Sequence, residues 1–566
     1  MTIAKYSLNL YDYGVFGAFL CISLGVGIYY AVVERLHRRG SSDKPHKCHT
    51  EEYLLGGRRM PVIPVALSLL TTFLSGITLL GTPAEFFQHG GLWILMYWMA
   101  PISFSLFGFF ILPIIYHLNA TSIYEYLELR FHSTLLRRLC ASAFVLNTLI
   151  FLGAVTYAPA VALSGVTDME VWLLILLVGA SSTIYTTIGG LKAVVWTDTL
   201  QAGVMYAGIG FVVVKGTIDC GGFANVLEIA SISGRIENTF RFDANPAQYN
   251  SVWMTICNGT SIWLALYGIN QMSVQRYCSL PSLSDARKVV WITIPLFLIL
   301  STMACYIGLL ALAYFYNCNP LETGEIRTHD QLVVLLAVKI SQAYYGMPGL
   351  FLACIFATTL STVATGYNSL AAVVYIDFVK PYFGDRLSSK QSLLINKASC
   401  VGLLGATIGP VVGVFCLGIL ARGVSTRATT IGFVGSIFCC ILLWLAATVE
   451  NPYKGYTLPT NSSESGCNGV AFNLTAIPDS YDPHFGRPDA IYLSKISSFS
   501  YAFIGLLLVF FPSLLLSQAF PPNEEKFSSG RKHSLTLFGR PSLQHPTIVR
   551  LRKDESLPRV PIDCSQ

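Results

Sequence analysis

Apolar runs long enough to cross a lipid bilayer recur along nearly the whole chain. A membrane-spanning helix needs about 20 predominantly apolar residues, and about a dozen runs approach that length. They are Tyr11–Val33, Pro61–Leu80, Leu92–Tyr116, Leu139–Leu163, Val171–Ile188, Leu200–Val214, Val252–Ile269, Val290–Tyr316, Met347–Val379, Val401–Leu420, Ile431–Val449 and Ser500–Leu516. Only 12% of the residues are charged and 53% are hydrophobic, so the chain is predicted to be an all-α polytopic membrane protein.

Basic residues orient these runs in the membrane. The connector after the first run contains Arg35, Arg38, Arg39, Lys44, Lys47, Arg58 and Arg59. Positively charged connectors remain in the cytoplasm, so the N-terminus is predicted to be extracellular. We expect a multi-pass protein of the plasma membrane whose first span is its own insertion signal, because Met1–Leu10 lacks the pattern of a signal peptide.

Two polar segments are predicted to lie outside the bilayer. Residues 450–498 form an extracellular loop with glycosylation sequons at Asn461 and Asn473. Residues 521–566 are polar and basic, which predicts a disordered cytoplasmic tail. The net charge of +6 is explained by cytoplasmic loops that face anionic lipid, so lipid is an expected partner and nucleic acid is not.

The cysteines show no spacing typical of a metal cluster, and most lie within apolar runs. Cys220, Cys318 and Cys467 lie in predicted external connectors and could form one disulfide. The chain has no Walker-type glycine loop, so no nucleotide is expected to bind.

Hydroxyl groups and glycines interrupt the second run between Leu69 and Pro83. Such residues allow a membrane helix to unwind, and its free carbonyl groups can then coordinate a cation. Small residues also favour close packing between membrane helices. This segment alone leaves the two interpretations open.

Four hydroxyl side chains lie on one face of the ninth run, since Thr358, Ser361, Thr362 and Thr365 are spaced at i, i+3, i+4 and i+7. Sodium is a hard cation that prefers oxygen ligands, and this stripe supplies several without a carboxylate. The hydroxyl groups could instead bond to carbonyls of the preceding turn. Four hydroxyl groups in register favour a cation site.

Asp198 lies at the start of the sixth run, with Gln201 one turn further along. Its carboxylate could stabilise a helix N-terminus. Alternatively, Asp198 and Gln201 could form an inner gate or a second cation site.

Several motifs resemble those of the sodium:solute symporter family, in the same order along the chain. They are Leu55–Met60, Thr121–Leu127, Gly189–Gln201, Tyr267–Gln271, Val274–Tyr277, Leu360–Thr362 and Asp377–Phe378. The similarity extends from about Tyr11 to Pro512, and Tyr157–Ala160 with Lys192–Asp198 resembles the branch of multivitamin, monocarboxylate and iodide symporters.

The resemblance implies a five-plus-five inverted-repeat transporter fold, with the solute near the membrane midplane between broken helices. The repeats would cover about residues 60–215 and 250–450 of a membrane domain at residues 1–520. The implied sodium ligands are the carbonyl groups of Thr71, Leu74 and Thr358 and the hydroxyl groups of Ser361 and Thr362. The implied solute contacts are Phe73, Thr78, Trp263 and Tyr267, and a second sodium site or gate would involve Thr72, Asp198, Gln201 and Gln271.

The predicted function is symport, in which sodium is the coupling ion and no cofactor is needed. The expected solute is a small organic anion or vitamin, such as a monocarboxylate or a biotin- or pantothenate-like compound. Thr78 replaces the glutamine of iodide-type relatives, which weakens the iodide interpretation. No Arg or Lys is expected in the site, so helix N-termini or hydroxyl groups would bind a carboxylate.

Two other classes of membrane protein fit the sequence less well. A membrane enzyme would need a nucleophile–base pair or a metal triad in the spans, and neither is apparent. A channel would use a ring of equivalent hydroxyl stripes, whereas this stripe occurs once.

One span is predicted to be missing near residue 400, which leaves about 12 spans against about 13 in this branch of the family. The run Val401–Leu420 has basic residues on both sides, since Lys397 precedes it and Arg422 follows it. By the resemblance, Asn396–Cys400 opens the tenth span and Gly409–Gly413 belongs to the eleventh, so about 30 residues are absent at Cys400–Val401. An impaired isoform that acts as a sensor is therefore the alternative function.

Overall fold

The computed structural model describes residues 8–40, 52–118, 120–167, 169–236, 240–383, 408–421, 424–453, 457–463, 466–467, 482 and 485–520. The helices of these residues are α1 (Leu10–Gly40), α2 (Val62–Phe73), α3 (Gly76–His89), α4 (Gly91–His117), α5 (Glu125–Phe131), α6 (Thr134–Val166), α7 (Val171–Asp219), α8 (Phe223–Ile232), α9 (Val252–Ile269), α10 (Gln271–Tyr277), α11 (Leu283–Phe315), α12 (Leu332–Ser341), α13 (Met347–Val379), α14 (Ile408–Leu420), α15 (Thr426–Glu450) and α16 (Tyr501–Ala519).

The apolar runs of the sequence are helical wherever the structure describes them. Nine helices of the described residues are long and apolar enough to cross a membrane, and the bent pair α2 and α3 makes a tenth span. The predicted fifth and sixth spans are the two parts of α7. They meet at a kink at Gly190, which has a φ of 58°. The run Val401–Leu420 is described only from Ile408, where α14 begins.

Two helices are broken in the middle of the bundle. The axes of α2 and α3 differ by 56°, because Leu74 leaves the helical conformation with a φ of −84° and a ψ of 73°. A π-helical turn ends α9 at Ile269, and Asn270 is extended with a ψ of 137°. The Asn270 side chain then accepts the Met272 amide hydrogen and caps α10. The sequence predicted the first break but did not locate the second.

The helices α13 and α14 end at the same face of the bundle. Arg137, near the start of α6, donates to Asp377 near the end of α13 at 2.6 Å, and Arg130 of the adjoining α5 donates to the Gly418 carbonyl near the end of α14 at 2.8 Å. Two successive helices that run in one direction are consistent with a missing crossing between them. That absence remains a prediction, because the Cys400–Val401 junction lies outside the described residues.

The segment after α15 packs against the opposite face. Its Leu458 amide donates to the Gln88 carbonyl at 2.9 Å, just before the end of α3. Cys467 forms a disulfide with Cys318, while Cys220 is free. The expectation of one disulfide among three cysteines is thus confirmed and its pairing resolved. Asn461 is exposed, whereas Asn473 and the predicted tail at 521–566 lie outside the described residues.

Asp12 joins α1 to the start of α13. Its carboxylate is 2% exposed and accepts the amide hydrogens of Gly346 at 3.0 Å and Gly349 at 3.4 Å. These amides have no acceptor within the helix, and a carboxylate is favourable at this end of the helix dipole. Gly349 permits the contact, because a Cβ atom there would overlap the Asp12 backbone.

Replacing Asp12 by Ala is expected to lower the free energy of unfolding by about 1 kcal/mol, because the first turn of α13 loses its cap. Asp12→Asn keeps an acceptor oxygen and should lose less. Thermal melting of the detergent-solubilised protein, followed by size-exclusion chromatography, would measure both variants. Equal melting of wild type and Asp12→Ala would contradict the capping role.

Candidate cation and solute site

The break between α2 and α3 faces the middle of α13 and brings together most of the predicted sodium ligands. Ser361 donates to the Thr71 hydroxyl at 2.6 Å, and the Thr362 hydroxyl donates to the Thr72 carbonyl at 3.0 Å. The same Thr362 hydroxyl lies 2.9 Å from the Thr358 carbonyl and 3.5 Å from the Thr71 carbonyl. The fifth predicted ligand, Leu74, is the residue at which the helix breaks.

These oxygen atoms suit a hard monovalent cation. The last carbonyl groups of α2 accept no amide hydrogen from within the helix, and they lie at the negative end of its dipole. The Thr358 hydroxyl donates backward to the Ile355 carbonyl at 2.7 Å, as the alternative interpretation expected. A hydroxyl that donates its hydrogen still offers oxygen lone pairs, so back-bonding and cation binding are compatible.

A second buried polar cluster surrounds Asp198. One carboxylate oxygen accepts from Ser68 at 2.5 Å and from Arg276 at 3.1 Å. The other oxygen has no hydrogen-bond partner among the described residues, and neither has the buried amide of Gln201. Asp198 lies well inside α7, so the interpretation as an N-terminal cap is wrong.

Arg276 is a central residue that the sequence analysis missed. It is 1% exposed and donates to Ser68 at 2.8 Å, to the Met272 carbonyl at 2.8 Å and to the Thr365 hydroxyl. Thr365, the fourth residue of the hydroxyl stripe, therefore belongs to this second cluster. The expectation that no arginine lies in the solute site stays a prediction, because Arg276 belongs to the Asp198 cluster. The position of Arg276 just after the broken α9 was the available signal for this second cluster.

The remaining residues of the predicted second site divide between two places. The Thr72 hydroxyl donates to the Ser68 carbonyl at 2.7 Å and lies 3.5 Å from that of Thr365, so it borders the Asp198 cluster. Gln271 lies elsewhere: it accepts the Ile123 amide hydrogen at 2.9 Å and donates to the Thr121 carbonyl at 2.8 Å. Gln271 thereby fastens the start of α10 to the connector before α5.

Aromatic rings enclose the predicted solute position. The ring centroid of Tyr267 lies 4.9 Å from that of Phe73 and 5.9 Å from that of Trp263. Two rings that the sequence did not indicate complete the wall, since Phe104 lies 4.3 Å from Tyr267 and Phe297 lies 4.7 Å from Trp263. The buried Tyr267 hydroxyl has no hydrogen-bond partner among the described residues. It is therefore available to a solute.

The first turn of α3 supplies a polar end to this aromatic wall. Ser75 precedes the helix without a side-chain cap, so the first amide groups of α3 remain available at the positive end of its dipole. The half-buried Thr78 lies 3.4 Å from the Phe73 carbonyl. A small anion with an apolar part fits such a combination of rings, hydroxyl groups and helix N-terminus.

The connector before α2 is buried against α10 and the turn that follows it. Tyr53, Leu54 and Leu55 are at most 2% exposed, and Gln275 of α10 donates to the Leu54 carbonyl at 2.5 Å. The Met60 amide also donates to the Ser279 carbonyl at 3.1 Å. Thr78, by contrast, belongs to a half-buried stripe of α3 that continues to the opposite face.

Comparison with known proteins agrees with this geometry. Residues 53–415 match the sequence profile of the sodium:solute symporter family. Human sodium-coupled monocarboxylate transporter 1 is 36% identical over 491 residues, which are 81% of this chain and 77% of the relative. The human sodium/iodide cotransporter is 33% identical over 500 residues, which are 84% of this chain and 75% of the relative.

A solved structure shows the fold. The substrate-bound outward-open state of a Na+-coupled sialic acid symporter aligns with a TM-score of 0.73 and 20% identity, over 90% of this chain and 98% of that chain. The expected all-α transporter architecture with inverted repeats is thereby confirmed.

Replacing Arg276 by Gln is expected to destabilise the protein by roughly 3–5 kcal/mol, because Asp198 would remain buried without its cationic partner. The double variant Arg276→Gln with Asp198→Asn removes both charges and should recover most of the folded yield. Fluorescence-detected size-exclusion chromatography would measure that yield. Additive losses in the double variant would show that the two side chains act independently.

Proposed function

Because this chain belongs to the sodium:solute symporter family, we propose that it couples the inward movement of sodium to the uptake of a small organic anion across the plasma membrane. The observation that carries this proposal is the neutral cluster of buried oxygens where the broken α2 meets α13. The chain is a multi-pass membrane transporter of this family and not an enzyme.

The proposed sodium ion binds to the carbonyl groups of Thr71, Leu74 and Thr358 and to the hydroxyl groups of Ser361 and Thr362. A cation there bridges α2 and α13, which supports the state that is open to the outside. Because α3 begins at the same break, sodium also holds the first turn of α3 in the position where its amide groups bind the solute. Sodium and solute thereby raise each other's affinity. Rocking of the repeats then releases both into the cytoplasm.

The proposed solute is a monocarboxylate or a vitamin that carries a carboxylate. The carboxylate binds to the amide groups at the start of α3 and to the hydroxyl groups of Thr78 and Tyr267, and its apolar part contacts Phe73 and Trp263. The named relatives carry monocarboxylates and iodide. The aromatic wall favours an organic anion over iodide, because it provides area for an apolar group.

The Asp198 cluster is proposed as a second sodium site or an inner gate. Its free carboxylate oxygen, with Gln201 and Thr72 nearby, supports the binding of a cation. Thr72 joins the two sites, since its hydroxyl donates to the Ser68 carbonyl and its own carbonyl accepts from Thr362. Gln271 supports the gate instead, because it ties α10 to residues 121–123.

We propose that the N-terminus is extracellular and the C-terminal tail cytoplasmic. Asp12 contacts the start of α13, whereas Arg137 contacts the end of that helix, so the start of α1 lies opposite the basic face. Ser517, near the end of α16, accepts from the Ser425 amide just after α14. Glycosylation of Asn461 and Asn473 belongs to the same proposal.

Sodium-dependent uptake of a labelled panel tests the function directly. The panel contains lactate, pyruvate, biotin, pantothenate, iodide, myo-inositol and glucose, and replacement of sodium by choline is the control. We expect uptake of monocarboxylates or vitamins that requires sodium. Solute binding without any flux would instead support the sensor.

Replacing Ser361 and Thr362 together by Ala is expected to abolish sodium-dependent uptake without loss of surface expression. Both changes are small, but they remove two of the five proposed sodium ligands. The matched control is Thr429→Ala with Ser436→Ala, which removes two buried hydroxyl groups of α15. Initial rates of uptake against sodium concentration would decide; unchanged sodium dependence would refute the assignment.

Replacing Asp198 by Asn should slow turnover more than it weakens apparent solute affinity, since the proposed role of Asp198 is in the transport cycle and not in solute contact. Asn keeps an acceptor for Ser68 and Arg276. Maximal rate and KM, measured on equal amounts of surface protein, separate the two effects. An unaltered maximal rate would count against the role.

A further inference from the structure

The half-buried stripe of α3 leads from the solute position to the external face. Thr78, Gly81, Glu85, Gln88 and His89 are half-buried, whereas the residues between them on the other sides of α3 are buried. Spacings of three, four and seven residues place them on one helical face. This face carries polar groups and is the least buried face of α3 between Thr78 and His89.

Glu85 is the acidic residue on this stripe. Its side chain is 14% exposed and lies 3.1 Å from the Nδ1 atom of His89. The Tyr249 hydroxyl donates to the two carboxylate oxygens at 3.2 and 3.3 Å. The carboxylate thus has a fixed position, and neither the proposed sodium site nor the proposed solute contacts use it.

The basic group in contact with Glu85 is His89, which offsets the carboxylate charge only when its imidazole is protonated. Burial, followed by the neighbouring His89, lowers the pKa of His329 to about 4, so His329 is neutral at physiological pH. Burial raises the pKa of Asp330. Its carboxylate, when ionised, adds to the negative charge of Glu85 and does not offset it. Arg235 lies against Phe87, on another side of α3, where its guanidinium donates to the carbonyls of Phe87, Leu458 and Pro459.

We propose that Glu85 is a specificity-determining residue that sets the charge selectivity of the external mouth, admitting neutral and singly charged solutes and disfavouring dianions. This inference rests on the proposed uptake of anions. Glu85 acts at a distance, because it lies seven residues above Thr78, or about 10 Å along the helix axis. Its effect is therefore electrostatic and does not require contact with the solute.

Coulomb's law gives this effect a signature that a structural role lacks. At about 10 Å and an effective dielectric constant of about 40, one negative charge weakens the binding of a monoanion about fourfold. The free energy scales with the charge of the solute, so the binding of a dianion weakens about sixteenfold. A neutral solute loses nothing. A loss of packing or folding would affect all three solutes alike.

The experiment compares Glu85→Gln with the wild-type chain. Inhibition of sodium-dependent uptake of labelled lactate is measured with propionamide, propionate and succinate, which carry charges of about 0, −1 and −2 at neutral pH. In Glu85→Gln, the inhibition constant of propionate should fall about fourfold and that of succinate about sixteenfold, while that of propionamide stays unchanged. Glu85→Asp should leave the three inhibition constants close to their wild-type values, since it retains the negative charge.

Glu228→Gln is the matched control, because Glu228 is an exposed acidic residue of α8. Shifts in Glu85→Gln that are equal for the three inhibitors, or absent, would overturn the inference alone. Inhibition constants in Glu85→Asp that match those of Glu85→Gln would overturn it as well. A wild-type chain without sodium-dependent uptake of any monocarboxylate would refute the proposed function, and this inference with it.

Discussion

A helix that breaks inside a bilayer leaves peptide groups without partners, and each unpaired group costs several kcal/mol in hydrocarbon. Here the break at Leu74 and Ser75 is fully buried. The Thr362 hydroxyl of α13 lies against it, 3.0 Å from the Thr72 carbonyl and 3.5 Å from the Thr71 carbonyl. Gly76 allows this approach, since a Cβ atom there would overlap Thr359 and Pro159. The position of α13 against α2 thus follows from the need to satisfy the break.

The two buried polar clusters differ in charge. The cluster at the break consists of neutral oxygens, which can bind a cation and release it again. The cluster around Asp198 contains a fixed cation, since Arg276 lies 3.1 Å from the carboxylate. A buried ion pair is costly to separate. The first cluster is therefore suited to exchange of an ion. The ion pair of the second joins α2, α7, α10 and α13 and leaves one Asp198 oxygen without a hydrogen bond.

The sequence predicted much of this arrangement because the relevant signals are local. Hydrophobic runs located the spans, and the spacing of Thr358, Ser361 and Thr362 located the face of α13 that meets the break. The family resemblance added Thr71, Leu74 and the aromatic residues. Arg276 was missed because its pairing with Asp198 joins residues 78 positions apart, and no local pattern encodes such a contact.

Three further points separate the sequence-based expectations from the structure. Phe104 and Phe297 lie in uniformly apolar helices, where periodicity does not distinguish a ring facing the solute from one facing lipid. Gln271 was grouped with Asp198 by resemblance, but its amide is occupied by the backbone of residues 121–123. Asp198 was placed at the start of the sixth span, whereas it lies eight residues beyond the kink at Gly190 that divides α7.

The disulfide between Cys318 and Cys467 depends on how the intervening helices are inserted in the membrane. The bond closes a sequence separation of 149 residues, within which α12, α13, α14 and α15 all lie. Disulfides form in the oxidising compartment, so both cysteines must reach the same side of the membrane during biogenesis. A chain whose last helices inserted with the opposite orientation would keep the two thiols apart. The bond can therefore form only after α15 has been inserted in the correct orientation, so oxidation of these cysteines is a late step of assembly.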